Sequence, residues 1–182
     1  TTMGVFVALL RAVNLGGATQ VAMSELRDRV AMLGFEDVRS LLNSGNLVFL
    51  ARESDPARVE RRLDVEVAPR LRARSEFFVR SAAEWRGVVD ANPFAREAED
   101  DPGHLIVTAL KRAPAEPSWR SLAAAIRGRE RVRGIGREAY IVYPDGTGRS
   151  KLTAAVIERQ LGTRGTSRNW NTVRKLDALA SL

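Results

Sequence analysis

The feature of the sequence that most constrains the fold is a run of six apolar residues, VFVALL, at positions 5–10. A strand with one solvated face alternates apolar and polar side chains, but every position of this run is apolar. The run therefore predicts a central β-strand that is covered on both faces. It is far shorter than the roughly 20 apolar residues that a membrane-spanning helix requires, and it has neither the basic flank nor the cleavage site of a signal peptide.

Helical and strand patterns follow one another in the first half of the chain, with turn or cap residues between them. Ser24 is placed to cap the first helix, and Gly34 marks its end. Asp55 and Pro56 open the second helix as its cap and first residue. The predicted elements are strands at 5–10, 38–42, 47–50 and 77–79 and helices that begin at 24 and 55. Their order, β-α-β-β-α-β, is that of the ferredoxin-like split unit, and it predicts a first domain at residues 1–81.

Residues 82–182 are predicted to form a second domain that repeats this order imperfectly. The predicted elements are a linking helix at 83–89, strands at 104–110, 131–135 and 139–143, and helices at 118–126 and 150–162. No final strand is evident, and in its place we expect an additional helix that Thr166 or Ser167 caps and that buries Trp170 on its apolar stripe. The acidic segment 95–103 contains proline and glycine, so we predict a loop or flexible connection there.

The sequence contains no cysteine and a single histidine, His104. Disulfides, thiolate nucleophiles and cysteine-ligated metals are therefore excluded, and no spacing of His, Asp and Glu residues suggests a zinc site. Because His104 opens the apolar run at 105–107, we interpret it as structural. No general base, nucleophile or metal-ligand set is recognisable, so the sequence assigns no catalytic residue and no cofactor and leaves open whether the protein is an enzyme.

The formal net charge is +7, and most of it lies near the C-terminal end. Residues 149–182 contain seven Arg or Lys side chains and only two Asp or Glu side chains. Such a basic segment attracts phosphates and nucleic acid, although a solvated charged surface has the same composition. We expect a cytoplasmic protein with no membrane partner, and the sequence leaves its oligomeric state open.

Four polar segments at predicted strand ends, turns or helix starts hold the candidate anion-binding residues. Backbone N–H groups near glycines and at helix N-termini approach anions closely, and Arg, Lys, Asn and Ser side chains add charge or directional donors. We expect Arg11, Asn14, Arg149, Lys151, Arg168 and Asn171 to line one shared pocket or groove. The candidates are Arg11, Asn14, Gly16 and Gly17 after the first strand, Ser44 and Asn46 in the hairpin turn, Arg149, Ser150 and Lys151 at a predicted helix start, and Arg168, Asn169 and Asn171 near the last helix.

Each of these segments also has a purely structural interpretation. Residues 11–17 suit a glycine turn, and the second segment suits an ordinary hairpin turn. The third, GTGRSK at 146–151, does not match the Walker pattern, so it predicts no nucleotide site of that kind. In the fourth, Arg168 and Asn171 fall on one polar face of the predicted helix. Trp170 falls on the opposite face, which favours a core anchor over base stacking.

Several of these motifs together resemble one bacterial family, called domain of unknown function 1697. The motifs are VALLR at 7–11, NLGG at 14–17, the helix at 23–35, SGNLVF at 44–49, NPF at 92–94, YPDG at 143–146, GRSKL at 148–152 and residues 166–173. The sequence departs from the family at Ala12, where glycine is usual, and at Asn43, where glutamine is common. The resemblance implies an α+β fold of tandem ferredoxin-like halves with antiparallel-rich sheets and an extra C-terminal helix, and it implies no activity.

Three functions are open at this point. The one that we favour is a binding protein that holds a phosphorylated small molecule or nucleic acid in a basic cleft. The second is an oligomeric interaction module with no ligand. The third is an enzyme that acts on a phosphorylated substrate. Convergence of the polar segments is the observation that separates the first from the second.

Overall fold

The structure is a computed structural model that describes residues 2–13, 21–42 and 45–182. The chain divides into two compact units, Thr1–Gly87 with Leu176–Leu182 and Val88–Lys175. Each unit contains a four-stranded sheet in which all paired strands are antiparallel. Two antiparallel sheets and seven α-helices in the described ranges form an α+β fold, which confirms the predicted class. The division into domains at residue 81 stays a prediction.

The first unit is built around a strand that is central in its sheet. Its strand order is β2-β3-β1-β4. The strands are β1 (Gly4–Val13), β2 (Glu36–Leu41), β3 (Asn46–Ala51) and β4 (Arg74–Ser81), and the helices are α1 (Met23–Ala31), α2 (Pro56–Glu66), a 3-10 turn (Ala68–Arg70) and α3 (Ala82–Asp90). Phe6, Ala8 and Leu10 of β1 pack in one core with buried residues of α1 and α2. Val7 and Leu9, which alternate with them, are also buried, so the predicted burial of both faces is confirmed.

The second unit repeats the same order of elements. Its strand order is β6-β7-β5-β8. The helices are α4 (Ala95–Asp100), a 3-10 turn (Pro102–His104), α5 (Glu116–Ala125) and α6 (Ala154–Leu161), and the strands are β5 (Leu105–Leu110), β6 (Arg131–Ile135), β7 (Glu138–Val142) and β8 (Gly165–Asn169). The last helix, α7 (Trp170–Ala180), begins in this unit, and its residues from Leu176 belong to the first unit. Leu110, Ile141 and Leu122 belong to a core that joins this sheet to α5 and α6. The central strand β5 therefore occupies the position that β1 has in the first unit.

Helix carboxylates cover one edge of each sheet. The hydrogen bonds are Phe77 N to Asp64 Oδ1 (2.7 Å), Val79 N to Glu60 Oε2 (3.0 Å) and Gly165 N to Glu158 Oε1 (3.1 Å). In both units the second helix after the first strand supplies the acceptor, and the last strand of the sheet supplies the N–H group. Because an uncovered strand edge is a template for pairing with a foreign chain, these contacts protect β4 and β8.

The end of the second unit differs from the prediction. Gly165–Asn169 forms strand β8 instead of the beginning of a helix, so the predicted caps Thr166 and Ser167 are wrong. Helix α7 begins one residue after the strand, and Asn169 Oδ1 accepts a hydrogen bond from Thr172 N at 3.1 Å. The strand sequence GTSRN lacks the apolar alternation by which a strand is recognised. It is a strand because it pairs along its whole length with β5.

Three other local predictions are wrong. The segment 95–103 contains helix α4 and part of a 3-10 turn, because the Ala- and Glu-rich sequence at 95–100 favours a helix and the proline and glycine follow it. Helix α6 begins after Thr153, whose Oγ1 accepts a first-turn N–H at 3.3 Å, and Ser150 is not its cap. Helix α1 begins at Met23, so Ser24 is not its cap either.

The prediction that Trp170 is buried is confirmed. Only 4% of the residue is exposed, and Val173 and Leu176, three and six positions further along α7, are fully buried. This spacing places the three side chains on one face of the helix. Among the helices of the described residues, none has the length and apolar character that crossing a membrane requires.

We expect Trp170→Ala to lower the free energy of unfolding by about 3–5 kcal/mol, because the substitution leaves a large cavity where an aromatic ring is buried. Urea denaturation followed by far-UV circular dichroism measures the change. Lys175→Ala, at an exposed position of the same helix, is the matched control and should change stability by less than about 0.5 kcal/mol. Equal stability of the two variants would show that Trp170 does not anchor α7.

Candidate anion-binding site

The loop that follows β7, residues 143–153, is fixed by its own hydrogen bonds. We call it the β7–α6 loop. Tyr143 Oη donates to Leu152 O at 3.0 Å and thereby joins the two ends of the loop. Gly146 N donates to Tyr143 O at 3.0 Å, and Leu152 N donates to Ser150 Oγ at 3.0 Å. These bonds give a polar, glycine-containing segment a defined shape without a helix or a strand.

A second loop, residues 126–130, holds the first one from the side. We call it the α5–β6 loop. Arg129 forms a two-point ion pair with Asp145, in which Nε lies 3.1 Å from Oδ2 and Nη2 contacts Oδ1. Ser150 Oγ donates to Glu130 Oε1 at 2.5 Å. Both loops lie at one end of the second sheet, because β6 begins opposite the residue with which β7 ends.

The contacts between the loops lower the pKa values of both carboxyl groups, those of Glu130 and Asp145. The hydrogen bond from Ser150, with smaller contributions from nearby backbone amides, holds the pKa of Glu130 below its ordinary value of 4.5. The hydrogen bond and charge of Arg129 lower the pKa of Asp145 and are matched by a raised pKa of Arg129. Burial raises the pKa of Tyr143 to about 12, so its hydroxyl stays a neutral donor.

Glycine at position 128 makes the placement of the Glu130 carboxylate possible. A Cβ atom at Gly128 would lie 2.6 Å from Glu130 Oε2, which is inside van der Waals contact. Oε2 is buried and accepts no hydrogen bond of standard geometry, whereas Oε1 accepts from Ser150. The tight fit therefore fixes the carboxylate against Ser150 and, through it, the β7–α6 loop.

Two cationic side chains of the β7–α6 loop have no such partner. Arg149 and Lys151 flank Ser150 in sequence and are exposed. Within the described part of the chain, no hydrogen bond or ion pair engages either side chain. The loop thus presents a planar guanidinium and an ammonium group from a backbone that the neighbouring contacts hold in place. These are the two side chains that bind phosphate and carboxylate oxygens most effectively.

His104 lies at the same end of the sheet. Its backbone oxygen accepts a hydrogen bond from Tyr143 N at 2.9 Å, and its Nδ1 lies 2.9 Å from Asp101 Oδ2. Nε2 would lie 3.7 Å from a Cβ atom at Gly146, so the ring borders the β7–α6 loop. Within the described ranges, no group of three or more His, Asp or Glu side chains could hold a metal ion.

The candidates of the first two polar segments belong to the first unit or lie outside the described residues. Asn14, Gly16, Gly17 and Ser44 are outside the described residues. Arg11 lies on β1 opposite Glu76 and is partly buried. Asn46 is fully buried, and its Nδ2 donates to Leu41 O at 2.9 Å, which joins the start of β3 to the end of β2. Their membership in an anion site stays a prediction.

The candidates of the last segment are positioned by β8 and α7. The expectation that Arg168 and Asn171 share a helical face is wrong, because Arg168 lies on strand β8. Its buried guanidinium donates to Thr166 Oγ1 and to Ser167 O, both at 2.8 Å, and burial lowers its pKa to about 10. Asn169 Oδ1 caps α7, and Asn171 is exposed in the first turn of that helix.

The first unit contains a counterpart of Arg168 that sequence reasoning missed. Arg80 pairs with Val7 across the first sheet, as Arg168 pairs with Val107 across the second. Arg80 is also buried, and its Nη1 donates to the carbonyl of the preceding residue at 3.1 Å, as Arg168 does. The signal in the sequence is an Arg followed by a Ser or Asn that caps the next helix, at RSAAE (80–84) and RNWNT (168–172).

Sequence reasoning also missed the residues that hold the β7–α6 loop. Arg129 and Glu130 precede Arg131 in an alternating charged stretch, which by itself is typical of a solvated surface.

The sequence model of the family described as "Protein of unknown function (DUF1697)" matches residues 3–140. The chain belongs to the DUF1697 family. This confirms the resemblance drawn from the motifs, although the matched DUF1697 region ends before the β7–α6 loop. No curated protein matches the chain.

A solved structure extends the similarity beyond the region that the DUF1697 model matches. The conserved bacterial protein SP0830 from Streptococcus pneumoniae superimposes with a TM-score of 0.69 and is 20% identical in sequence. The similarity covers 98% of this chain and 99% of that one. At this level of identity the comparison shows a shared fold, and the chemistry of the site has to be argued from the residues of this chain.

We expect acid to release the β7–α6 loop in the pH range below 4.5, the ordinary pKa of Glu130. Because the folded-state pKa is depressed, the ionised form stabilises the loop above this value, and the stabilisation is lost as the pH falls through the folded-state pKa. Amide hydrogen exchange of Leu152, expressed as a protection factor, measures the release. Glu130→Gln should remove the part of this pH dependence that Glu130 contributes, since an amide does not titrate, and leave the part that comes from the Asp145–Arg129 pair. Identical pH profiles of the two proteins would contradict the assignment.

Proposed function

We propose that the protein is a binding module for a small phosphorylated ligand, which it holds at the β7–α6 loop. A single observation carries the proposal. Asp145 is engaged by Arg129 and Glu130 by Ser150, whereas no residue that the structure describes engages the exposed side chains of Arg149 and Lys151. Positive charge is thus left uncompensated at a site whose backbone is held in a fixed shape.

The chemistry of the two cations favours a phosphate group. A guanidinium offers two parallel N–H donors to two oxygens of one phosphate, and an ammonium group adds a compact charge. Preformed loops reduce the entropy that is lost when flexible side chains close on a ligand. Since only two unengaged cations belong to this loop, a single phosphate group matches the site better than a long polyanion does.

The same contacts favour binding over catalysis. Ser150 is the hydroxyl between the two cations, and Glu130 accepts its hydrogen bond in the manner of a general base. A general base is effective when its pKa lies near the working pH, whereas the pKa of Glu130 is lowered. Ser150 Oγ also accepts from Leu152 N. We therefore assign Ser150 a positioning role and propose no enzymatic step.

We also propose that each unit is a ferredoxin-like half. The proposal is supported by the β-α-β-β-α-β order of each unit and by two identical strand orders, second-third-first-fourth. In this arrangement the β7–α6 loop of the second unit corresponds to the β3–α2 connection of the first. Convergence of Arg11 with the cations of the second unit stays a prediction.

The binding proposal is tested with phosphorylated sugars, nucleotides and inorganic phosphate in a thermal-shift screen, followed by calorimetry. A ligand at 100 times its Kd should stabilise the protein by about 2.7 kcal/mol. Arg149→Ala and Lys151→Ala should each weaken binding about tenfold or more, because a hydrogen bond to a charged group contributes about 1.5–3 kcal/mol. Arg159→Ala, an exposed arginine on α6, is the matched control.

Salt dependence separates a small ligand from nucleic acid. Affinity for a single strand that contacts Z phosphates falls with a log-log slope of about −0.7Z, whereas one phosphate held by directional bonds gives a shallow slope. Tight binding of short oligonucleotides with a steep slope would favour nucleic acid. If no phosphorylated ligand binds, or if the control variant weakens binding as much as Arg149→Ala does, the binding proposal is wrong and the interaction-module alternative gains support.

A further inference from the structure

Strand β6 is a regular and exposed edge of the second sheet. It is the outermost strand in the order β6-β7-β5-β8, and it pairs with β7 from Arg131 to Ile135 without a shift in register. Four of its five residues are exposed, and Ile135 keeps 42% of its surface accessible. The edge of β6 that does not pair with β7 therefore faces solvent.

The pattern of the ladder shows which backbone groups point outward. Leu110 N donates to Arg137 O, and Tyr143 N donates to His104 O, so the odd-numbered residues of β7 are bonded to β5. Antiparallel strands alternate between bonded and non-bonded pairs. The even-numbered residues of β7 consequently bond to their partners in β6, which are the odd-numbered ones.

Val132 and Gly134 are left with their N–H and C=O groups directed away from the sheet. Over the described part of the chain, no hydrogen bond from a side chain or a neighbouring segment reaches these groups. Each of the two residues thus offers one N–H donor and one C=O acceptor, and the two sets are spaced as an additional antiparallel strand would require. Water satisfies them in the free protein, so a partner strand can replace that water.

The other described edges carry protection that β6 lacks. Carboxylates of α2 and α6 occupy N–H groups of β4 and β8. Strand β2 has a register shift between Glu36 and Arg39, and Asp37 has a φ of +49° within it. A bulge or a covering group hinders addition of a strand, whereas β6 pairs with β7 without a register shift and no described residue covers its outer edge.

The two faces of β6 differ in chemistry. Arg131 and Arg133 project on one face, where the side chain of Arg131 is held over the Phe94 ring at 5.4 Å and its Nη2 is paired with Glu97 Oε2 at 3.2 Å. On the other face, the ring of Trp119 lies directly on Gly134, since a Cβ atom there would be 2.3 Å from the ring. A strand added to this edge would therefore meet positive charge on one side and a partly exposed aromatic ring on the other.

We propose that β6 binds an extended segment of another protein as a fifth, antiparallel strand, and that this segment alternates acidic with apolar residues. Its acidic side chains face Arg133, because Arg131 is already paired with Glu97, and its apolar side chains face Trp119. Opposite charges on neighbouring strands stabilise a sheet, and like charges destabilise it. A second copy of β6 is the poorer occupant, because it would place arginines beside arginines. This inference does not depend on the proposed phosphate site.

Backbone methylation of a probe peptide provides the sharpest test. In an antiparallel pair, residues bonded to each other have side chains on the same face. The N–H groups that face Val132 and Gly134 therefore belong to the apolar residues of the partner. With a fluorescent peptide of alternating Glu and Val residues, we expect N-methylation of the valines to weaken binding at least tenfold and N-methylation of the glutamates to leave it nearly unchanged. Fluorescence polarisation measures both.

Matched variants of the protein test the charge requirement. Arg133→Glu should weaken peptide binding at least tenfold, whereas Arg174→Glu, at an exposed position of α7, should have a small effect. A peptide of the same composition with all glutamates before all valines should bind more weakly than the alternating one. Absence of binding, equal binding of all methylated peptides, or loss on methylation of the glutamates instead would overturn the proposal.

Sedimentation and competition identify the other possible occupants. The free protein should sediment without self-association through β6, and an oligonucleotide should not displace the peptide at physiological salt. If the protein forms a dimer that Val132→Pro dissociates, β6 is an interface between copies and the proposal is wrong. If an oligonucleotide displaces the peptide and N-methylation has no effect, the edge is a polyanion surface and the proposal is equally wrong.

Discussion

Burial of a central strand on both faces is the constraint from which the rest of the structure follows. β1 and β5 each lie between two antiparallel neighbours, and their apolar side chains are buried on alternating sides. One face is covered by the two helices of the same unit. The other face is also buried and holds one arginine in each unit, Arg80 and Arg168. Removing a guanidinium from water is costly unless hydrogen bonds compensate it, which explains why each donates to the carbonyl of the residue before it.

Several expectations from the sequence are confirmed because they rest on burial, and others are wrong because they rest on local signals alone. The run at 5–10 predicts a doubly covered central strand, and Trp170 is buried as its helical spacing predicts. Strand β8 was not predictable from GTSRN, since pairing with β5 and not apolar alternation makes it a strand. Ser150 and Thr153 both fit the cap pattern; in the structure Thr153 Oγ1 accepts from Val156 N, whereas Ser150 Oγ donates to Glu130.

In the candidate site too, the sequence predicts the residues of a local motif but not the residues that contact it from another loop. The basic, glycine-containing motif at 146–151 was recognisable in the sequence, and Arg149 and Lys151 were singled out from it. The role of Arg129 and Glu130 was not, because ion pairs between two loops depend on a sheet that brings the loops together. Exposed ion pairs contribute little to stability in general. Their effect here is to orient the loop and to leave two cations unengaged.

The two units share one strand order but differ at the edge strand. In the first unit, the strand that corresponds to β6 is β2, and its register shift and left-handed Asp37 interrupt the edge. In the second unit, Gly134 permits Trp119 to lie on the strand, and the register of β6 is regular. Residues 127–151 also hold seven basic side chains against three acidic ones. Both units thus contain a buried arginine at the same position of the sheet, while the edge strand and the β7–α6 loop of the second unit carry the backbone groups and charges that we propose a partner or ligand uses.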